Sequence, residues 1–196
     1  MKPGKTYHIY NHGNANDNLF RSDENYRYFL RQYGQYVQPI ANTYAYCLLP
    51  NHFHFLVQIK EQEHLLNRTG FENLSGLKLE EHIVQQFSNF FNGYTKAFNK
   101  MFTRRGKLFL APFKRKLITN QWHFLNTWKY IHYNPVHHGF VNDTFDWPFS
   151  SVHDYRLKKI DPLVLLAVQE NAGSKLDQTL SQQFKPDWNE FLDFDY

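Results

Sequence analysis

A single cysteine, Cys47, in 196 residues excludes an internal disulfide framework and any zinc site built from thiolates. No run approaches the ~18 apolar residues that a membrane-spanning helix needs. The opening MKPGKTYHIYNHG has no apolar stretch of the kind a secretory signal carries, so a soluble, cytoplasmic protein is expected. There is no Walker loop, glycine-rich dinucleotide fingerprint, H-E-x-x-H helix or serine elbow. Cys47 lies in an apolar run and reads as a small buried hydrophobe.

The most telling absence is local. Between His82 and Asn142 there is no Asp or Glu in 61 residues, yet that stretch holds nine Lys or Arg and 14 aromatics. Residues 1–81 are balanced, with eight basic and eight acidic side chains, and residues 143–196 carry five basic and ten acidic ones. The net charge of +4 therefore hides a basic, aromatic middle segment. Such a segment suits a phosphate backbone with bases stacking beside it. A basic surface over an ordinary aromatic core is the plainer alternative.

What the chain has in quantity is aromatic residues: 19 Phe, 13 Tyr and 4 Trp within a 42% hydrophobic composition. That excludes an intrinsically disordered chain and gives enough material for one domain of 23.6 kDa. The pattern predicts a strand over Lys5–His12 and a helix from the N-cap Ser22 to about Val37, ended by Pro39. Runs Thr43–Leu49 and His52–Ile59, separated by Pro50-Asn51, predict a hairpin. The polar stretch Glu61–Lys78 reads as irregular or a short helix, and Leu79 to about Thr103 as the strongest amphipathic helix. An extended run follows over Leu108–Thr119, broken by Pro112. A helix from Gln121 to Tyr133 is capped by Asn120 and stopped by Pro135. Strand, helix, strand, strand, helix, strand, helix is the split pattern of a ferredoxin-like α+β fold. Its antiparallel sheet is expected to carry helices on one face. Residues 1–150 would form the main domain and 151–196 a C-terminal extension packing on it.

Two features carry chemistry. In His52-Phe53-His54 the imidazoles are two residues apart on a strand, so they share a face opposite Phe53, Phe55 and Val57. With the apolar set under the helices, the histidines are expected on an open face, close enough to hold one divalent metal; two histidines on a solvated strand face need no function at all. In the run WKYIHYNP, Tyr130 and Asn134 are one helical turn apart. A phenol and an amide displayed together can serve as nucleophile and metal ligand, or simply as core. A His52, His54, Asn134 site with open positions favours Mg2+ or Mn2+ working with phosphate oxygens, with zinc also compatible.

The segments YHIYNHG, LFRSDENYRYFL, YAYCLLPNHFHFLV, WKYIHYNPVHHGFV and WPFSS together resemble the single-tyrosine HUH transposases, and among them the REP-associated tyrosine transposases. The resemblance runs in order from about Tyr7 to Ser151. It implies that His52 and His54 are the metal ligands, that Tyr130 is the nucleophile with Tyr133 off the motif position, and that Asn134 is an amide ligand. Relatives often have Gln there, and Asn is one methylene shorter. It implies cleavage and rejoining of single-stranded DNA beside hairpins through a 5′-phosphotyrosine link, with no nucleotide cofactor. The acid-free segment then supplies DNA contacts: Lys96, Lys100, Arg104, Arg105, Lys107, Lys114, Arg115, Lys116 and Lys129. Relatives include both monomers and homodimers. A domesticated hairpin-binding protein and a rolling-circle-type nickase are the alternatives. The segment from Glu61 to Leu79 is longer than the compact family pattern needs, and the acidic tail after Ser151 falls outside the resemblance; the tail could shield the site, mimic DNA or mediate dimerisation. His8, His12, His132, His137 and His138 lie in matching segments but off the ligand positions, with His8 and His12 read as structural or DNA-contacting.

Overall fold

On the strand His52–Ile59 (β3), Phe53, Phe55, Val57 and Ile59 alternate with a second set that begins with two histidines. Period-two alternation sends the two sets to opposite sides of a sheet, and the computed structural model of the chain covers both sides. It describes residues 1–68, 70–110, 112–157, 159–172 and 186–187. Thr6–His12 (β1), Ala41–Leu49 (β2), β3 and Lys114–Leu117 (β4) form one antiparallel sheet in the order β2-β3-β1-β4. Asp23–Tyr36 (α1) joins β1 to β2. The short Gln62–Leu66 (α2) and the long Gly76–Met101 (α3) lie between β3 and β4. Gln121–His137 (α4), Val152–Arg156 (α5) and Pro162–Ala172 (α6) follow. This is the ferredoxin-like α+β arrangement that the element order predicts.

One face carries the larger core. Tyr26, Phe29 and Tyr33 of α1 and Phe87, Phe90, Phe91 and Tyr94 of α3 pack on Ile9, Phe53, Phe55 and Val57. The extended run after α3 splits at Pro112, which has no N–H for the ladder: Phe109 bridges Gly13 before it, and the strand proper is the four residues Lys114–Leu117. The expectation that helices occupy one face alone is corrected: α4 crosses the other, so the histidine face is not open. Tyr44, Cys47, Leu49 and Leu56 make that face apolar, and Phe124, Trp128 and Ile131 of α4 cover it. Ten of the 17 residues of α4 are buried, so the helix needs partners on more than one side. Val152, Tyr155 and Val168 from α5 and α6 supply them. Pro135 does not stop α4, which runs on to His137. A proline so near the end removes a single helical donor, and the Asn134 and Pro135 carbonyls accept from His138 and Phe140 N–H groups.

Backbone contacts fix the ends of β1 and β3. The hairpin turn is the two residues Pro50-Asn51, since Leu49 pairs with His52. The Asn51 carbonyl accepts the Gly13 N–H at 2.7 Å and the Pro50 carbonyl the Phe20 N–H at 3.0 Å. Gly13 is required there, because a Cβ would lie 1.9 Å from the Asp17 carbonyl oxygen. Segment 147–151 runs along the outer edge of β2: Leu48 N–H donates to the Phe149 carbonyl and Ser151 N–H to that of Tyr46. The tail residues 173–185 and 188–196, to which the acidic-tail readings refer, lie outside the described residues.

Asp17 ties this loop to the basic turn after α3, accepting from Arg21 at 2.9 Å and Arg104 at 2.7 Å. Burial pushes its carboxyl up, but the two guanidinium hydrogen bonds outweigh that and hold it below the ordinary range. The stabilisation is therefore present above the unfolded-state pKa and lost as pH falls through the folded one. Asp17→Asn is expected to lower unfolding free energy by about 1 kcal/mol at neutral pH. Urea melts should show that deficit shrinking below about pH 3.9.

Candidate active site

Register brings four imidazoles and one phenol to the same side of the sheet. His12 faces His52 across the β1–β3 ladder, Tyr10 faces His54 and His8 faces Leu56. Paired residues share a face, so His8, Tyr10 and His12 accompany His52 and His54. The His12 ring stacks on His52 with centroids 4.7 Å apart, and His138 meets His52 edge-on at 4.8 Å. From α4, Tyr130 packs its ring edge-on to His54 at 5.2 Å and to His8 at 6.0 Å.

The ligand candidates converge. Asn134 Oδ1 lies 3.0 Å from His52 Nε2. Tyr130 and Asn134 are both 0% exposed, His52 2% and His54 1%, so the set is sealed where the sequence suggested an accessible surface. Burial pushes the His52 imidazole down to about 3, against the opposing Asn134 hydrogen bond, and holds His54 well below its usual range. Both rings are therefore neutral, the form that binds a metal.

Two residues that the sequence reading did not assign fix how these rings are turned. Asn51 Oδ1 lies 2.8 Å from His52 Nδ1 and can accept its N–H. A neutral imidazole has one N–H, so it serves either Asn51 Oδ1 or Asn134 Oδ1 but not both. With the N–H on Nδ1, Nε2 presents a lone pair beside Asn134 Oδ1, the arrangement in which both atoms can serve as metal ligands. His8 Nε2 lies 3.0 Å from His54 Nδ1. Burial pushes His8 itself to about 3, so it is neutral and can accept from His54 Nδ1–H. That leaves His54 Nε2 as a lone pair; it is buried and has no hydrogen-bond partner among the described residues. Asn51 was legible as the neighbour in the PNH segment. His8 required knowledge of the strand register.

The donor set passes a test of fit as His, His and amide oxygen, which is compatible with a divalent ion that keeps open positions. Among the described residues, no group of three or more His, Cys, Asp or Glu side chains is arranged to hold a metal. A site here thus depends on Asn134. Cys47 pairs with His54 across the β2–β3 ladder and so lies on the same face, buried and with its thiol pushed up by burial.

Helix α4 is held in place by a buried polar contact. Ser151 Oγ lies 2.8 Å from His132 Nε2 and accepts the Tyr46 N–H at 2.8 Å. His132, displaced one residue from Tyr133 and two from Tyr130, thereby turns away from the metal candidates and toward β2. Tyr133 is half-buried, on the edge of the same core. Ser151→Ala removes the partner of both groups, and urea denaturation is expected to register a loss of about 2 kcal/mol or more.

The nine cations do not form one patch. Lys96, Lys100, Arg105 and Lys107 are exposed on α3 and the turn that follows it. Arg104 is engaged by Asp17, by Asn99 and by the Lys107 carbonyl, so it shapes the turn. On β4, Lys114 faces Tyr10 and Lys116 faces His8, whereas Arg115 faces Ile9 on the opposite side. Lys129 is half-buried on α4.

No family model matches the sequence. Over 112 residues, 57% of this chain, it is 32% identical to a protein described as a REP-associated tyrosine transposase in Haemophilus influenzae. The aligned stretch spans 58% of that relative, so the chain covers less than two thirds of its length. The fold is shared with a solved REP-associated tyrosine transposase bound to a REP hairpin. The TM-score is 0.59 over 83% of this chain and 85% of that one, at 19% identity. Among the described residues, no helix is long and apolar enough to cross a membrane.

Proposed function

We propose that the chain is a single-strand DNA transposase of the REP-associated tyrosine type, which cuts and rejoins DNA beside hairpins with Tyr130 as nucleophile. The observation that carries this reading is the placement of Tyr130 and Asn134, one turn apart on α4, directly over His52 and His54. The 32% identity to a described transposase and the fold shared with a hairpin-bound one support the same conclusion.

The Tyr130 oxygen attacks a phosphodiester phosphorus and loses its proton to solvent. The bond to the 3′ oxygen breaks, and that oxygen leaves as a 3′-hydroxyl after taking up a proton. The 5′ phosphate stays linked to Tyr130 until another 3′-hydroxyl reverses the exchange, so no external energy source is needed. His52, His54 and Asn134 would hold Mg2+ or Mn2+, which when bound supplies Lewis-acid neutralisation of charge on the phosphate oxygens. Asn51 and His8 keep the two imidazoles turned with Nε2 toward that position. Lys114 and Lys116, on the same face, add positive field where the phosphate must approach. Because Tyr130 and both histidines are buried, entry of DNA requires part of the cover over this face to move aside.

Purified protein, incubated with single-stranded hairpin DNA and Mg2+ or Mn2+, is expected to yield a covalent adduct on a denaturing gel. Tyr130→Phe should abolish the adduct and Tyr133→Phe should not; the reverse pattern would overturn the assignment. His52→Ala is expected to remove cleavage while hairpin binding persists. Binding without an adduct under either metal would leave a hairpin-binding protein in place of a transposase.

Affinity should also depend on salt. If the exposed cations engage about five phosphates of a single strand, log affinity is expected to fall against log salt with a slope of roughly −3.5. Fluorescence anisotropy from 50 to about 300 mM salt reads the slope directly, and a flat line would remove the basic segment from the interface.

A further inference from the structure

On the face opposite Tyr130, a groove of about 550 Å³ opens between α3 and the segment that leads into β4. Its floor is aromatic: Phe91, Phe109 and Phe113, with ring centroids 5.3 to 5.4 Å from Phe91 to the other two. Phe91 and Phe109 belong to the core, while Phe113 is half-buried and presents part of its ring. The Arg115 guanidinium lies 5.6 Å over Phe113. Lys107 and Arg115 stand on the rim, both exposed and neither in a salt bridge among the described residues. Asn92 reaches the groove from α3 with its side-chain amide in no hydrogen bond among the described residues.

The loop that bounds the groove is built to keep it open. Asn11 Nδ2 holds the Leu110 carbonyl at 2.7 Å. Gly106 turns the chain with φ of +87°, a conformation that other residues rarely adopt. The groove therefore combines flat apolar walls, an amide in no hydrogen bond and two cations in no salt bridge among the described residues, within the segment that contains no carboxylate. Charge complementarity selects a polyanion, and the aromatic floor selects a planar ring.

We propose that this groove binds an unpaired nucleobase of the DNA strand, stacked on Phe113 and Arg115, with its edge read by Asn92 and its phosphate met by Lys107. This rests on the transposase reading and adds a recognition site separate from the cleavage site. The connection runs over the β4 edge, where Lys114 and Lys116 face the histidines and Arg115 faces the groove. A single strand crossing that edge meets cations on both sides of the sheet. The base held in the groove is thus distinct from those that flank the bond Tyr130 attacks.

The test uses the full-length Tyr130→Phe protein, which cannot form an adduct, and fluorescein-labelled dT20 beside an abasic 20-mer with the same backbone. Stacking of a single base is worth ~1–3 kcal/mol, so dT20 is expected to bind roughly 5- to 150-fold more tightly than the abasic strand. Phe113→Leu should cut that ratio to near one with the abasic affinity unchanged, which also shows that the variant is folded. Asn92→Ala, an exposed change, should narrow the spread of affinities among dT20, dA20 and dC20. Arg115→Gln should weaken dT20 more than the abasic strand, and Lys107→Gln both alike. Equal binding of dT20 and the abasic strand, or a ratio untouched by Phe113→Leu, would refute the groove. In that case an adduct formed by the unmodified chain leaves the transposase reading standing, while absence of both adduct and DNA binding removes both.

Discussion

The antiparallel register of β1 against β3, in which His12 faces His52 and Tyr10 faces His54, decides which chemistry lies on which side of the sheet. A slip of one residue would move every side chain of a strand to the opposite face. His52 and His54 would then enter the phenylalanine core beneath α1 and α3, and Phe53 and Phe55 would meet α4. The register is fixed by the Gly13 and Phe20 amides bonded to the Asn51 and Pro50 carbonyls at the β2–β3 turn, and by the apolar faces themselves. Stability and site geometry are thus secured by the same contacts.

Burying so many imidazoles has a direct cost in solvation, and the arrangement limits it by keeping them uncharged and partnered. His52 rests on Asn51 and Asn134, His54 on His8, and His132 on Ser151. Each of these contacts also sets an orientation. Unlike an exposed histidine pair, this one cannot rotate to suit a ligand. The deep position of Tyr130 follows from the same packing, because a helix that holds Trp128 and Ile131 against β2 and β3 must carry its neighbour inward.

Much of this was legible in the sequence, and the remainder was not for identifiable reasons. Strand alternation around His52 and His54 and the four-residue spacing of Tyr130 and Asn134 are local, and both predicted pairings occur. Whether α4 packs above the histidines is a long-range fact. The even-numbered face of β3 starts with two polar residues and looked solvated, whereas its apolar partners Tyr44, Cys47 and Leu49 sit on another strand. His8 was invisible as an orienting group because its contact with His54 spans 46 residues. Pro135 misled in the opposite sense: a proline forbids a helical donor, but in the last turn little remains to be lost.

Strand β4 forms one edge of the sheet with Lys114, Arg115 and Lys116 in succession, and among the described residues no further strand pairs with its outer side. Three adjacent cations on so short a strand repel the same edge of a second molecule. The cations assigned above to the proposed DNA contact would thus also disfavour edge-to-edge pairing of two sheets. In the proposed complex, bound nucleic acid would neutralise those charges and itself cover the same edge.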